Sequence, residues 1–172
     1  MVAGMRVRQV LVVAGVVIIA ALAAIVVREE AVKKETSVLP VRDPTVPVQV
    51  EARGIDRAWH FSYPGADGIL NTGDDIVSVG DLTLPEGADV QIQLRSADYI
   101  YVFSCPGLHL KEIAVPDLEF ALSFGTDRAA DYDLTMDAMC GFRLPPGKTM
   151  GTLSIVSESA FQVWREDRAR LR

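Results

Sequence analysis

The chain has 172 residues, a formal net charge of −6 at pH 7, 49% hydrophobic residues and 23% charged ones. That length and that apolar share fit one globular domain plus a membrane-embedded part. The acidic balance argues against nucleic acid and against an anionic lipid surface as partners.

Residues 1–9 read as a short cytoplasmic tail. Val10 to Val27 is then an unbroken run of uncharged, mostly aliphatic residues. As a helix it would measure about 27 Å, close to the hydrocarbon thickness of a bilayer. Arg6 and Arg8 precede it, so the positive-inside tendency predicts a cytoplasmic N-terminus. Everything after residue 27 is expected on the periplasmic or exterior side of the cell (inner) membrane, as a single-pass protein. A cleaved signal peptide is the competing reading. The run is longer than a usual signal core, and neither a small-x-small site nor a lipidation cysteine follows, which favours an uncleaved anchor. Beyond the anchor lie all 23 acidic residues and 15 of the 17 basic ones, a net −8 that suits a basic partner protein.

Residues 28–45 mix charges with prolines and show no period, which predicts a linker. The domain proper is expected over residues 46–164. Val46, Val48 and Val50 open an alternating strand ending near Gly54, and Trp59, Phe61 and Tyr63 alternate before a Pro64-Gly65 turn. A loop rich in Gly and Asp follows from Ala66 to Asp81. Asp67, Asn71, Asp74 and Asp75 are the ingredients of a calcium loop, but EF-hand spacing and a closing bidentate Glu are missing. Asx turns that shape a hairpin explain the same residues, so calcium is the weaker reading.

Leu82 and Leu84 lead into a Pro85-Glu86-Gly87 turn, and Val90, Ile92 and Leu94 alternate with polar residues. The stretch from Ser96 to Phe120 organises the rest. Tyr99, Tyr101 and Phe103 are expected on one strand face and Ile100 and Val102 on the other, followed by corners at Pro106 and Pro116 around a short exposed strand. Leu118 to Phe124, Tyr132 to Met136, and Leu153 with Ile155 continue the alternation. Phe161 to Trp164 is read as the last strand, and residues 165–172 as a charged tail. Many short strands broken by Gly and Pro turns predict an all-β sandwich of about eight strands.

The only cysteines are Cys105 and Cys140. In an oxidising compartment they form a disulfide, serve as thiolate ligands, or stay buried and inert. With two histidines in the chain and no nucleophile set, zinc spacing or phosphate loop, independent enzymatic activity is not expected.

From about Val48 to Trp164 the wording resembles the cupredoxin domain of cytochrome c oxidase subunit II, which carries the dinuclear CuA centre. Trp59-x-Phe61-x-Tyr63-Pro64 is similar to the family's aromatic entry strand, and Leu84-Pro85-x-Gly87 to its strand-ending turn. Ser96-x-Asp98-x-Ile100-Tyr101-x-Phe103-x-x-Pro106-x-Leu108-x-x-Lys111-x-x-Ala114-x-Pro116 resembles the family's S-x-D-V-I-H-S-F-x-x-P-x-L-G-x-K-x-D-A-x-P-G. Met136-Asp137-Ala138-Met139-Cys140-Gly141 stands where the family has C-A-E-L-C-G, and Phe161-x-x-Trp164 resembles its closing F-x-x-W. The resemblance implies a cupredoxin-like Greek-key β-sandwich preceded by one N-terminal transmembrane α-helix.

The same resemblance implies a degenerate copper site. CuA needs two bridging thiolates, two imidazoles, a Met sulfur and a backbone carbonyl. Tyr101 stands at the first-His position, Met136 at the first-Cys position, Ala138 at the carbonyl position, and Leu144 near the second His. Cys140 alone keeps its ligand identity, and Met150 aligns with the Met ligand only across an insertion at Pro145-Pro146-Gly147. His60 and His109 hold no ligand position. No cofactor is therefore expected, and copper would bind only under a different ligand alignment. A Cys105–Cys140 bridge stays open: the family fold brings their segments together, yet Cys105 lies about 13 Å along the strand from Tyr101.

The expected role is a copper-free structural subunit of a haem–copper oxidase or related respiratory complex. Its partners would be an integral catalytic subunit and, on its acidic face, a basic cytochrome. The alternatives are an accessory, assembly or binding protein outside the oxidase, and an electron-entry subunit that does carry copper.

Overall fold

The computed structural model describes residues 39–135 and 149–171. The apolar run at 10–27, residues 28–38 of the linker, and the segment 136–148 with Met136, Ala138, Cys140 and Leu144 lie outside the described residues. No helix among those described is long and apolar enough to cross a membrane.

Alternation with period two places one side chain in every pair against a core, and most of the strands obey it, while Leu82–Pro85 and Tyr101–Cys105 are buried on both faces. Strands β1 (Val48–Ile55), β2 (Ala58–Tyr63), β3 (Ile76–Val79), β4 (Leu82–Pro85) and β5 (Asp89–Ser96) come first. They are followed by β6 (Tyr101–Cys105), β7 (Leu110–Ala114), β8 (Phe120–Gly125), β9 (Ala130–Thr135) and β10 (Thr149–Val156). One five-stranded sheet has the order β3-β2-β1-β5-β8 and the other β4-β10-β9-β6-β7. Most neighbours are antiparallel, but β1 runs parallel to β5 and β10 parallel to β4. The chain changes sheet at β3–β4, β4–β5, β5–β6, β7–β8 and β8–β9, as a Greek-key sandwich requires. The all-β expectation thus holds, with ten strands among the described residues rather than about eight.

The inner faces meet in a core led by Trp59, Phe61, Tyr63, Tyr101, Phe103, Ile92, Leu94 and Leu134, all buried. Trp59 anchors it: its ring centroid lies 5.4 Å from that of Tyr101 and 5.7 Å from that of Phe103. Edge-to-face and tilted rings at such spacings add to the stabilisation from burial itself. Leu39, just inside the described residues, belongs to the same core, and Arg42 reaches Glu158 at 2.7 Å.

Three expectations need correction. Phe161 to Trp164 is not a strand: Glu158–Arg170 is a helix, α1. Ser157 caps it by accepting from the Ala160 amide at 3.3 Å, Glu158 sits in the first turn, and Arg168 and Arg170 sit in the last. Phe161 and Trp164 stack at 5.7 Å and close on Tyr63, so α1 covers the open side of the sandwich at β3 and β4.

Second, Tyr99 and Ile100 do not share strand faces with Tyr101 and Val102. They lie in the bend before β6 and are 51% and 47% exposed. Third, the loop after Pro64 contains β3, whose Ile76 and Ser78 are buried while Val77 and Val79 face outward.

Candidate functional site

The end of the sandwich where β6 begins brings together the β1–β2 hairpin turn, the β5–β6 bend and Tyr101. The hairpin loop is two residues, Asp56 and Arg57, between the paired Ile55 and Ala58. Both have positive φ, 50° and 65°. That is the mirror-image turn favoured by strand twist, usually made with Asn-Gly because L side chains are strained there.

The strain is offset from outside the hairpin. The Asp56 amide donates to Asp98 Oδ2 at 2.8 Å, and the Arg57 amide donates to the Tyr101 hydroxyl at 2.9 Å. The hydroxyl in turn donates to Asp98 Oδ1 at 2.8 Å, and the Tyr99 amide donates to the same oxygen at 2.9 Å. Ser96 folds the bend by donating its hydroxyl to the Tyr99 carbonyl. Gly54 makes room for the ring: a Cβ there would lie 2.3 Å from the Tyr101 ring.

Two titrations follow from this network. Burial works against the charged form of Asp98, but hydrogen bonds from Tyr101, Asp56 and Tyr99 outweigh it and hold the carboxyl below its usual value. Burial first, and then the bond to Asp98, push the Tyr101 phenol well above its ordinary value. Its oxygen therefore stays protonated and oriented toward Asp98.

A phenol held this way is a poor stand-in for an imidazole. Copper would have to displace a tightly held proton and break the bond that pins the hairpin.

The other sequence candidates are dispersed. His60 lies on the outward-facing side of β2, opposite Arg53 and Val79. His109 closes a 3-10 turn at Pro106–Leu108, with φ 54°, at the far end of β6 from Tyr101. Cys105 is buried at that same far end, and burial pushes its thiol up. Cys140, with which the sequence leaves a bridge open, is outside the described residues. Met150, the candidate Met ligand, is buried at the start of β10. Thr135 and Thr149, which flank the undescribed 136–148 segment, pair with each other, and Thr135 also pairs with Ser104 of β6. Among the described residues no three His, Cys, Asp or Glu side chains converge to hold a metal ion.

The Gly/Asp loop uses its carboxylates internally. Asp74 accepts from the Thr72 hydroxyl at 2.6 Å and the Asp67 amide at 3.1 Å, Asp67 accepts from the Ile69 amide, and Asp75 from the Asn71 amide. The Thr72 and Asp67 bonds lower the Asp74 pKa. This is the Asx-turn arrangement that shapes a hairpin.

No family model matches the sequence. Curated relatives do. The chain is 33% identical over 95 residues to cytochrome c oxidase subunit 2 of Synechocystis sp., covering 55% of this chain and 26% of that protein. It is 28% identical over 116 residues to the same-named protein of Thermostichus vulcanus, covering 67% and 32%. An alternative cytochrome c oxidase subunit 2 of Bradyrhizobium diazoefficiens is 26% identical over 147 residues, covering 71% and 52%. The periplasmic domain of subunit II (CoxB) of Bradyrhizobium japonicum superposes with a TM-score of 0.57 at 15% identity, covering 76% of this chain and 97% of that one.

The described residues form a subunit II-like cupredoxin domain. A second structure of subunit II, in its mixed disulfide intermediate with a thioredoxin-like protein, gives a TM-score of 0.59 at 16% identity over 75% of this chain and 96% of that one. The chain spans only about a quarter to a half of the length of these curated relatives. The sequence resemblance pointed to this subunit II-like domain through motifs taken in order from Trp59-x-Phe61-x-Tyr63-Pro64 through Ser96–Pro116 to Phe161-x-x-Trp164, with Tyr101 a departure from the family's His. It did not reveal the Gly54, Asp56–Arg57 and Asp98 network. Its one visible signal was the Ser96-x-Asp98 pair before the strand.

Proposed function

We propose that the chain is a membrane-anchored, copper-free subunit II-like protein that serves as a structural subunit of a haem–copper oxidase or related respiratory complex. The observation that carries this is Tyr101. At the position where the resemblance places the first imidazole stands a protonated phenol, bonded to Asp98 and to the Arg57 amide. The hydrogen-bonded clamp does at that end of the sandwich what ligation would otherwise do, tying separate loops to one point. Met136 and Leu144, neither of them a thiolate or an imidazole, stand at two further ligand positions and support the same reading.

Placement follows from the run at 10–27 and the arginines before it: one helix in the inner membrane, with the cupredoxin domain on the periplasmic or exterior side. The relatives' names and the periplasmic origin of the superposed CoxB domain support this placement and an integral oxidase subunit as partner. The net −8 of the residues after the run suits contact with a basic cytochrome. Without a metal of its own the domain would position such a partner and relay no electrons.

The test is copper loading of the purified full chain under reducing conditions, followed by oxidation. The expected outcome is no stoichiometric copper and no sulfur-to-copper charge-transfer absorption. Stoichiometric copper with such bands would refute the copper-free reading and make the chain an electron-entry subunit. Purification from its native membrane separates the remaining readings. A haem-bearing integral subunit should come with it, whereas a chain recovered alone would favour the accessory role.

A further inference from the structure

On the far side of the molecule's core from Asp98, a cleft of about 300 Å³ opens between the segment entering β1, the turn after β2 and helix α1. Val41, Val46, Pro47 and Phe161 give it apolar walls, and Val41 and Val46 are strongly exposed at its mouth. Arg165 and Arg42 line it too.

The two cations differ. Arg42 is neutralised by Glu158, through Nε at 3.2 Å and a terminal nitrogen at 2.7 Å. Arg165 is only 8% exposed and, among the described residues, has no carboxylate within ion-pair distance; Glu158 and Glu166 act on it only through space. Its guanidinium donates to the Pro64 carbonyl at 3.3 Å and to Gln162 Oε1 at 3.5 Å, both neutral oxygens at long range, and lies 6.0 Å from the Phe161 ring centroid. Burial outweighs what the more distant Glu158 and Glu166 return, and Arg42 adds repulsion, so the cation lacks the direct partner that charges taken out of water normally have. The one acid in the lining, Asp43, is committed to Thr45, accepting from its amide at 2.9 Å and its hydroxyl at 2.7 Å.

We propose that this cleft is a binding site for a small monocarboxylate with an apolar body, its carboxylate meeting the Arg165 fork and its body resting on the Val46 and Phe161 walls. A guanidinium offers two parallel donors to a carboxylate, the geometry that favours this headgroup over a point charge's partner. The anionic Asp43 selects against a second negative charge. The walls reject a bare inorganic anion, because they then remain wet and unfilled.

Benzoate is a suitable probe and benzamide its neutral counterpart of the same shape. Calorimetric titration of the detergent-solubilised full chain should show benzoate saturating at or below about 10 mM and benzamide at least tenfold weaker. Arg165→Met should remove that preference, and Arg165→Lys should retain part of it. Chloride and phosphate should not compete at equal concentration. Equal affinity for benzoate and benzamide would overturn the proposal, as would an unchanged preference in Arg165→Met or an absence of benzoate saturation. If Arg165→Met does not fold, the benzoate–benzamide comparison on the unaltered chain decides by itself.

Discussion

The Tyr101→Phe change isolates the clamp, because it keeps the ring in the core and deletes only the hydroxyl. Two hydrogen bonds disappear: the one donated to Asp98 and the one accepted from the Arg57 amide. A neutral bond is worth about 1 kcal/mol net and a bond to a charged group about 1.5–3, reduced here because Asp98 is solvent-exposed. The expected loss is about 2 kcal/mol, or about 7 °C in Tm for a domain of this size. The change should also flatten the acid limb. The folded Asp98 pKa lies below its unfolded value, so its contribution is complete above about pH 4 and is lost as pH falls through the folded pKa. The gap between wild type and Tyr101→Phe should therefore shrink on going from pH 6 to pH 2.5. Thermal unfolding followed by circular dichroism measures both quantities, and a cycle with Asp98→Asn gives the coupling between them. A Tm drop of less than about 1 °C, or a gap that widens on acidification, would show that the hydroxyl does not hold the hairpin.

Other changes probe the same end and the scaffold around it. Arg57→Gly should raise Tm by about 2–4 °C, because glycine adopts a φ of 65° without the strain that a side chain brings. Gly54→Ala should lower stability by about 2–3 kcal/mol, read in urea unfolding, since the new methyl meets the Tyr101 ring. Thr126→Val should cost about 2 kcal/mol: the hydroxyl accepts from the Ala88 amide at 2.9 Å and donates to the Pro85 carbonyl, all buried. Ser157→Ala should cost about 1 kcal/mol and fray α1 from its start, visible as faster amide exchange through residue 161.

How much of this was readable in the sequence depended on the kind of signal. Trp59, Phe61 and Tyr63, or Val90, Ile92 and Leu94, alternate without interruption, and each became a strand with those residues inward. Phe161 and Trp164 were misread although their spacing carried the answer. Residues three apart point to opposite faces of a strand but to one side of a helix, and Ser157 before them is a capping residue. Strand β3 was missed because Ile76, Val77, Ser78 and Val79 follow a turn-rich loop, and a buried serine breaks the apolar alternation. Of the clamp only the Ser96-x-Asp98 pair was legible. It joins Gly54, Asp56, Arg57 and Asp98 to Tyr101 across two strand connections, β1–β2 and β5–β6, and only the folded chain sets those residues side by side.

That distribution bears on the proposal that non-ligand residues stand where the resemblance places the copper ligands. In the described structure the fold is secured by an aromatic core centred on Trp59, by the covering helix α1, and by local polar devices such as Thr126 and Asp98. None of these requires a metal. A side chain at the β6 entrance then meets two constraints, the space left by Gly54 and the Arg57 amide of a strained two-residue turn. A histidine could fill part of that space, but its ring nitrogens lie closer to the backbone than a phenol oxygen does, and would not extend to the Arg57 amide. Tyrosine satisfies both constraints at once. Tyr101→His should give a destabilised domain even with copper present, because the Arg57 amide and the Asp98 carboxylate both lose their bond to the phenol oxygen. A Tyr101→His chain as stable as the parent would mean that the clamp follows from the fold and does not support it.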